Sequence, residues 1–488
     1  MSQEQRGVAS YENVSEDYLE RRKLKKSAGW ILLWFLGVGA VISGDFFGWN
    51  YGLASGGFWG LVLATFLMAG MYLCMVYSIA ELSSALPHAG GFYSFVRNAL
   101  GPTAGYVCGV TDTIEYVITP AVIVVGIGGY LQKIVPGVDV VLWWLLAYSV
   151  FVGINCAGVE LTLKVGMVVT LLAAAVLFFF YASALFTGSF DVDLLFNVAP
   201  EEGQSASGLP KGIYGIFAAL PFAIWFYLAI EQLPLAAEEA HDVVNDVPKA
   251  LIWGIITLLV LSLLTLVINS GVGLGAAGMG KSDAPLADGF QAILGSGATT
   301  IILSLFALTG LIASFHTIIY AYGRVLFALS RAGYFPRWIS PVNRRRVPHL
   351  ALILGAVVGF GCAIVIQFDK KKVVGPVLLN MAVFGAVISY ILVMISFIVL
   401  RIRRPNLERP YRSPLGITGA LIGALLALIA LAACFSIEDY RPGVVGTAIF
   451  LVIAMAYYFW HSRHRLVAQA PEEEIALIAA AEKELEQD

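Results

Sequence analysis

Five ionisable side chains lie inside apolar stretches of this sequence that are long enough to cross a membrane. They are Asp45, Asp112, Glu115, Glu231 and His316. A charged group in lipid is costly, so such residues are kept mainly where they bind an ion or a substrate, or where they carry a proton. These five residues are therefore the first candidates for binding or proton transfer.

Asp45 has the surroundings that an ammonium group needs. It follows Gly44 and is followed by three aromatic residues, Phe46, Phe47 and Trp49. A carboxylate forms an ion pair with an ammonium group, and aromatic faces add cation–π attraction. The alternative is that Asp45 caps a break in its helix by accepting hydrogen bonds from freed backbone N–H groups.

The other four residues have alternative roles that the sequence leaves open. Asp112 and Glu115 lie one helical turn apart on a shared face, where they either line a pathway or pair with cations of nearby loops. Glu231 is a candidate proton carrier, or it packs against a polar partner from another span. His316 is either a proton relay or a structural histidine.

The composition requires lipid as the solvent for most of the chain. Of its 488 residues, 59% are hydrophobic and 13% are charged, and the mean hydropathy is +0.82, far from the values of a soluble protein. The formal net charge of -3 does not favour a nucleic-acid partner. The five cysteines lie in apolar runs without metal-binding spacing, so we predict no metal site, disulfide framework or cofactor.

Twelve apolar runs are long enough to span a membrane. They begin near Trp30, Phe58, Thr103, Val138, Leu161, Ile213, Leu251, Ala298, Leu350, Val374, Ile417 and Val444. Lys and Arg cluster on the side of both termini, while the opposite loops hold fewer, including residues 370–372. By the positive-inside rule both termini are cytoplasmic. The polar first 28 residues contain no cleavable signal peptide, so we expect an integral multi-pass protein of an inner or plasma membrane.

Two of the predicted spans are interrupted near their middles. The first contains glycine and polar residues between positions 37 and 48, and the sixth contains Pro221, Glu231 and Pro234. Lipid tolerates such breaks only where a cavity or other helices satisfy the freed backbone. Because the second break lies five spans after the first, the two occupy equivalent places in two five-helix halves, a pattern that indicates a binding site at the membrane midplane.

Four segments of the sequence together resemble the amino acid–polyamine–organocation permeases. The segments are the first break, residues 86–93, residues 231–239, and residues 322–336 followed by Val347 and Pro348. The resemblance extends from about residue 30 to residue 460. It implies an all-α membrane protein of about twelve helices, a five-plus-five inverted repeat of the LeuT type with helices 1 and 6 broken, and two further C-terminal helices. It also implies secondary transport by alternating access.

This resemblance divides the chain into six parts. They are a cytoplasmic tail (1–28), the first repeat (29–187), an extracellular loop (188–212), the second repeat (213–400), spans eleven and twelve (401–461) and a cytoplasmic tail (462–488). Residues 471–488 alternate Glu with Ala, Leu and Ile, which predicts a soluble helix or a disordered end with no assigned chemistry.

The departures from the family pattern concern the substrate. Amino-acid permeases typically have Gly-Ser-Gly at the first break, where this chain has Ser43-Gly44-Asp45, and a fixed carboxylate there repels a substrate carboxylate and attracts an amine. Residues 41–57 are similar to the ethanolamine permease branch. Trp225 matches the aromatic residue that covers substrate in relatives. The resemblance therefore implies import of a small cationic amine such as ethanolamine, bound by Ser43, Gly44, Asp45, Phe46, Trp225 and Tyr227.

The coupling ion is left open between H⁺, Na⁺ and exchange. Glu231 matches the family's acidic residue of span six, and we take Glu231, His316, Asp112 and Glu115 as coupling candidates. The span-five position at which some proton-coupled relatives carry a lysine is Ala173 here. Family members often have glycine at the position of Ala229, so the hinge of span six is less permissive than the pattern expects.

Two alternatives to an amine importer remain. One is an amino-acid permease of the same family, either a symporter or an exchanger. The other is a membrane sensor or channel that uses a transporter fold. An enzyme is not predicted, because no metalloprotease, hydrolase or P-loop motif is present.

Overall fold

The computed structural model describes residues 3–6, 9–295, 300–369, 373–473 and 476–478, which are almost entirely helical. In chain order the α-helices are α1 (Glu16–Glu20), α2 (Trp30–Val41), α3 (Tyr51–Ala85), α4 (Gly91–Leu100), α5 (Pro102–Ile134), α6 (Val140–Cys156), α7 (Val159–Phe186), α8 (Gly212–Ala223), α9 (Val243–Ser270), α10 (Gly275–Met279), α11 (Pro285–Leu294), α12 (Thr300–Arg331), α13 (His349–Phe368), α14 (Val374–Arg403), α15 (Gly416–Ser436) and α16 (Arg441–Trp460). Short 3₁₀ segments lie at Ile42–Asp45, Val192–Phe196, Ile224–Phe226, Ile230–Glu239, Arg337–Ile339, Glu438–Tyr440 and Ser462–His464.

The helices confirm an all-α membrane architecture. Within the described residues, ten helical stretches are long and apolar enough to cross a membrane, and two shorter apolar ones, Trp30–Asp45 and Val140–Cys156, complete the predicted series. Their starts agree with the hydropathy runs because burial in lipid requires about 20 apolar residues per crossing. Two predicted features, the start of the eighth span at Ala298 and the cations of residues 370–372, lie outside the described residues.

The first span is broken where the sequence predicts it. Helix α2 ends at Val41, a 3₁₀ turn covers Ile42–Asp45, and regular helix resumes at Tyr51. A second change of direction occurs inside α3 at Gly57, whose φ of +69° is outside the helical range. Glycine adopts this conformation without a steric penalty, so Gly57 separates the end of the first span from the start of the second.

The sixth span is broken between α8 and the 3₁₀ segment Ile230–Glu239. The helix passes through Ile224–Phe226, and Ala229 then adopts a left-handed conformation with φ of +83°. Within the described chain, Ala229 and Arg346 are the two residues other than glycine with positive φ. The break therefore falls at the alanine that replaces the family's glycine, in a conformation that strains its Cβ.

The broken spans are enclosed by neighbouring helices. Helix α2 packs against α7, α9 and α12, and α3 packs against α8 and α9. Helix α5 forms extensive contacts with α12 and α14. Both breaks thus lie in the protein interior rather than against lipid, as the cost of unsatisfied backbone groups in a bilayer requires.

The two chain termini meet in a small sheet on one side of the molecule. Strand β1 (Gln3–Arg6) pairs antiparallel with β2 (Ala9–Glu12), and β2 pairs parallel with β3 (Leu466–Val467). The described part of the C-terminal tail is not a free end, since Glu472 and Glu473 are fully buried. The prediction of a soluble or disordered tail is therefore wrong for these two glutamates, which pair with Arg97 and Arg331. The sequence did not reveal these pairs because both arginines lie far earlier in the chain. Residues 479–488 lie outside the described residues.

Because Ala229 is strained, we predict that replacement by glycine changes the melting temperature differently at two alanines of the same span. Ala229→Gly removes a Cβ from a left-handed conformation that costs about 1 kcal/mol, so we expect the apparent melting temperature of the purified protein to rise or stay level. Ala223→Gly is the matched control, because Ala223 is equally buried but helical, and glycine there costs about 1 kcal/mol. Equal losses in both variants would contradict strain at Ala229.

Candidate functional site

The two helix breaks touch each other through their backbones. A Cβ placed on Gly44 would lie 2.0 Å from the carbonyl oxygen of Trp225. The Trp225 ring also covers Gly48, where an added Cβ would lie 3.2 Å from the ring. Contact this close is possible only without a side chain at Gly44, so the glycine of the first break determines how near the sixth span approaches.

A small cavity lies at this contact. It is lined by Ala40, Val41, Ser43, Gly44, Glu115, Tyr116, Thr119, Trp225, Leu228, Ala229 and Ile318. The space open to the centre of a water molecule is about 10 Å³, which is about the room that one water requires. The lining combines both breaks with one face of α5 and a residue of α12, so the first, third, sixth and eighth spans converge here.

Three of the predicted binding residues line this cavity and three do not. Ser43, Gly44 and Trp225 are in its wall, whereas Asp45, Phe46 and Tyr227 are absent from it. The Tyr227 hydroxyl is 3.0 Å from the Ser262 hydroxyl, on the far side of the break. The 3₁₀ geometry of Ile42–Asp45 explains why Ser43 and Asp45 are divided, because residues two apart on such a tight turn point in different directions.

Asp45 is fully buried and faces α9. Its Oδ1 accepts a hydrogen bond from the Thr265 hydroxyl at 3.1 Å, while its Oδ2 has no hydrogen-bond partner among the described residues. Asp45 forms no ion pair with a described Lys, Arg or His side chain within 4.0 Å. One oxygen of this buried carboxyl group therefore lacks a hydrogen-bond partner among the described residues.

Phe46 belongs to a second, larger cavity on the side opposite the termini. The space open to water-sized molecules there is about 350 Å³, and Phe46 lines it together with Tyr51 and Asp283. The Phe46 ring also packs against Gly310 of α12, where a Cβ would lie 2.5 Å from the ring. Phe46 therefore lies between the contact of the two breaks and the opening on this side.

Glu115 and Glu231 are neighbours in the interior. The Oε1 of Glu231 accepts hydrogen bonds from the Tyr390 hydroxyl at 2.5 Å and from the backbone N–H of Ala229 at 3.1 Å. Glu115 lies close enough to Glu231 to interact with it electrostatically and lines the small cavity, and neither of its carboxyl oxygens has a hydrogen-bond partner in the described part of the chain. Two adjacent carboxylates repel each other, so this pair requires a cation or a proton between them.

Asp112 and His316 lie away from the cavity wall. Asp112 is buried one turn before Glu115, and the Cys108 thiol is 4.0 Å from its carboxyl group. Among the described residues, neither Asp112 nor Glu115 forms an ion pair with a Lys or Arg side chain within 4.0 Å. His316 Nε2 is 2.8 Å from the Thr162 carbonyl oxygen, and Nδ1 is 3.4 Å from the Asn155 side chain. These contacts favour the structural role for His316.

Sequence reasoning missed three residues that complete the site. Thr119 lines the cavity, Thr265 binds Asp45, and Tyr390 binds Glu231. Thr119 follows Glu115 by four residues, so helical spacing was a usable signal. Tyr390 and Thr265 reach the site from distant helices, and nothing in their local sequence identifies them.

The chain is similar over most of its length to bacterial membrane transporters. A family model described as amino acid permease matches residues 29–459. An uncharacterized transporter of Rhizobium meliloti is 26% identical over 92% of this chain and 94% of its own length. A branched-chain amino acid permease of Bacillus subtilis is 24% identical over 91% of this chain and 94% of its own length. A D-serine/D-alanine/glycine transporter of Escherichia coli is 22% identical, covering 82% and 86% respectively.

The close approach of the breaks predicts a large effect of one methyl group. Gly44→Ala would place its Cβ against the Trp225 carbonyl, so the breaks must separate, and we expect the melting temperature of the purified protein to fall by several degrees. Gly361→Ala on α13 is the matched control, since an added Cβ there meets nothing within 4 Å. A Gly44→Ala variant as stable as the control would contradict the contact.

Proposed function

The chain belongs to the amino acid permease family and is a membrane transporter, and we propose that its substrate is a small cationic amine, with ethanolamine as the first candidate. In this proposal the amine is imported by alternating access in a secondary transport mechanism. It binds where the two helix breaks meet. Its relatives include a permease for branched-chain amino acids and a transporter for D-serine, D-alanine and glycine, and those substrates are the substrates of those proteins.

One observation carries the proposal: the interior around the breaks is acidic without compensating bases. Asp45, Asp112, Glu115 and Glu231 are all buried, and none forms an ion pair with a described Lys, Arg or His side chain. In a medium of low dielectric constant, such carboxyl groups attract a cation and repel a substrate carboxylate. A substrate with a free ammonium group and no carboxylate fits this interior.

The proposed binding mode places the ammonium group in the small cavity. Ser43, Gly44 and Trp225 would contact the amine there, with the Trp225 ring providing a cation–π surface. Glu115 supplies a carboxyl group from the cavity wall, and Asp45 adds a second from the other side of the break. Phe46 and Tyr227, which complete the predicted set, would enclose the amine from the opening and from α9 respectively.

The second candidate function is transport of a zwitterionic amino acid. It is favoured by the names of the relatives, which include a branched-chain amino acid permease and a D-serine/D-alanine/glycine transporter. In this case a carboxyl group such as that of Asp45 would bind the amino group, and the substrate carboxylate would need an N–H cradle.

Coupling to protons is proposed through Glu231. Its carboxyl group faces Glu115 and binds the backbone N–H of Ala229 at the hinge of span six. A proton held between the two carboxyl groups removes their repulsion, and a bound ammonium group would do the same. Substrate and proton thus interact with one pair of acids, which is a basis for coupling. An uptake experiment that shows coupling to Na⁺, or exchange of substrates, would exclude this proton mechanism.

Neutralising the acids should weaken amine binding. We expect Asp45→Asn and Glu115→Gln each to weaken ethanolamine binding to purified protein by about 30- to 1000-fold, because a desolvated ammonium group loses a charge partner worth roughly 2–4 kcal/mol. Asp193→Asn, at an exposed loop acid, is the control and should bind normally. Isothermal titration measures all three. Near wild-type binding by both interior variants would exclude an ammonium site, and stronger binding of a neutral amino acid than of ethanolamine would favour the second candidate.

The two coupling candidates should behave differently. In proteoliposomes with an imposed pH gradient, we expect Glu231→Gln to lose the stimulation of labelled ethanolamine uptake, because its carboxyl group is the proton carrier. His316→Gln should keep it, since an amide can still bond the Thr162 carbonyl. Stimulation of the wild type by a Na⁺ gradient alone, or full retention of pH dependence by Glu231→Gln, would disprove the proton mechanism.

A further inference from the structure

Two acidic side chains of the C-terminal tail are buried against arginines of the membrane domain. Glu473 Oε2 accepts a hydrogen bond from Arg97 Nε at 2.6 Å, and Glu473 Oε1 accepts one from the Tyr334 hydroxyl at 3.0 Å. Glu472 Oε1 is 2.5 Å from Arg331 Nη2. Both glutamates are fully excluded from solvent. The tail is thus held by specific charged contacts rather than by general adhesion.

The surface that receives these glutamates is built for carboxylates. Arg97 lies on α4 and Arg331 lies at the end of α12. Both are buried, with exposed fractions of 7% for Arg97 and 3% for Arg331. Tyr11 of β2 contributes a hydroxyl 2.6 Å from Arg97 Nη2, and the Asn98 side-chain amide donates to the main-chain carbonyl of Glu472 at 3.2 Å. Buried guanidinium groups need charged partners, and a carboxylate satisfies them with charge-assisted hydrogen bonds.

Arg331 also holds the inner segment of the broken sixth span, which is Ile230–Glu239 on the side of the chain termini. Arg331 Nη1 donates to Glu238 Oε2 at 2.9 Å, and the backbone N–H of Ala89 donates to Glu238 Oε1 at 3.0 Å. Glu238 belongs to the segment Ile230–Glu239, which begins directly after the strained Ala229. One guanidinium group therefore joins the tail to the segment that the hinge would move.

We propose that Arg97, Arg331, Tyr11, Asn98 and Tyr334 form an acidic-peptide-binding site that the chain's own tail, residues 466–473, occupies to restrain the inner segment of span six. With the tail in place, Arg331 is fixed on two sides, and moving Ile230–Glu239 requires the Arg331 to Glu238 contact to break or the tail to follow. Without the tail, Arg331 can move with Glu238. The consequence for transport rate rests on the proposed alternating-access mechanism, whereas the restraint on the segment does not.

The β3 pairing and hydrogen bonds of Val467 with the Ala332 carbonyl and of Gln469 with the Val14 N–H also hold the tail. The two glutamates supply its buried ion pairs with Arg97 and Arg331, so neutralising them should loosen it. Hydrogen exchange followed by mass spectrometry tests this on the full-length Glu472→Gln/Glu473→Gln protein, with no substrate required. We expect residues 230–239 to exchange about tenfold faster or more than in the wild type, since a buried charge pair has lost one partner. Glu201→Gln/Glu202→Gln, a pair of neighbouring exposed acids, is the matched control and should leave this segment unchanged.

A peptide added in trans separates a binding site from general damage. Residues 466–478 as a synthetic peptide should slow the exchange of residues 230–239 in the double variant, and the same peptide with Glu472 and Glu473 changed to glutamine should not. If the double variant is not monodisperse, Glu473→Gln alone is measured in the same way. Faster exchange of the tail with no change in residues 230–239, equal acceleration in α15 and α16, or no effect of the acidic peptide would each overturn the proposal.

Initial uptake rates then connect the restraint to transport. The double variant should transport labelled amine faster at saturation with an unchanged KM, because the cavity residues are intact and only the movement is freed. A protein that shows the exchange effect but takes up no amine in either form would retain the binding site and refute the proposed substrate. The two inferences therefore fail separately.

Discussion

A bilayer offers no hydrogen bonds, so a span that breaks within it must find partners for its freed backbone inside the protein. The first break meets this condition with side chains from other helices: the backbone N–H of Ser43 donates to the Ser314 hydroxyl at 3.1 Å, and that hydroxyl donates to the carbonyl of Gly39 at 3.0 Å. The Gln232 amide of the sixth span donates to the Leu36 carbonyl at 3.0 Å. The breaks therefore stabilise each other, and the enclosure by α5, α9 and α12 follows from keeping both away from lipid.

The acidic residues around the breaks differ from those on the side of the termini in whether an arginine pairs with them. Near the termini, Glu81, Glu239 and Glu473 are each matched by arginine, at distances between 2.5 and 2.8 Å. Around the breaks, Asp45 and Glu115 have no such match among the described side chains. A buried ion pair whose partners are both present needs nothing further, whereas an unmatched carboxyl group keeps an attraction for a cation. The distribution of arginine thus separates the buried acids that have an ionic partner from those that, in the proposed function, would bind a cationic substrate.

The sequence was sufficient for the features that depend on local pattern. Hydropathy and length identified the spans, and the clusters of glycine, proline and polar residues identified both breaks, because lipid penalises each deviation directly. It did not predict that Asp45 turns toward Thr265 while Ser43 faces the cavity, since the 3₁₀ turn that decides this is set by tertiary packing. It also did not predict that Glu115 meets Glu231 or that Glu473 meets Arg97, because these partners come together only when distant helices pack.

Glu231 links the charge of the site to the shape of the sixth span. Its carboxyl group is the hydrogen-bond acceptor for the N–H of Ala229, the residue with the strained backbone. A carboxylate accepts this bond more strongly than a protonated acid does, so any change in the charge of Glu231 changes the stability of the hinge conformation. In the proposed transport cycle, a proton or an ammonium group in the cavity would act on Glu115, and the adjacent Glu231 would respond through their shared electrostatics. The proposed coupling therefore needs only these two side chains to connect occupancy of the cavity with the geometry of the hinge, without a longer pathway through the protein.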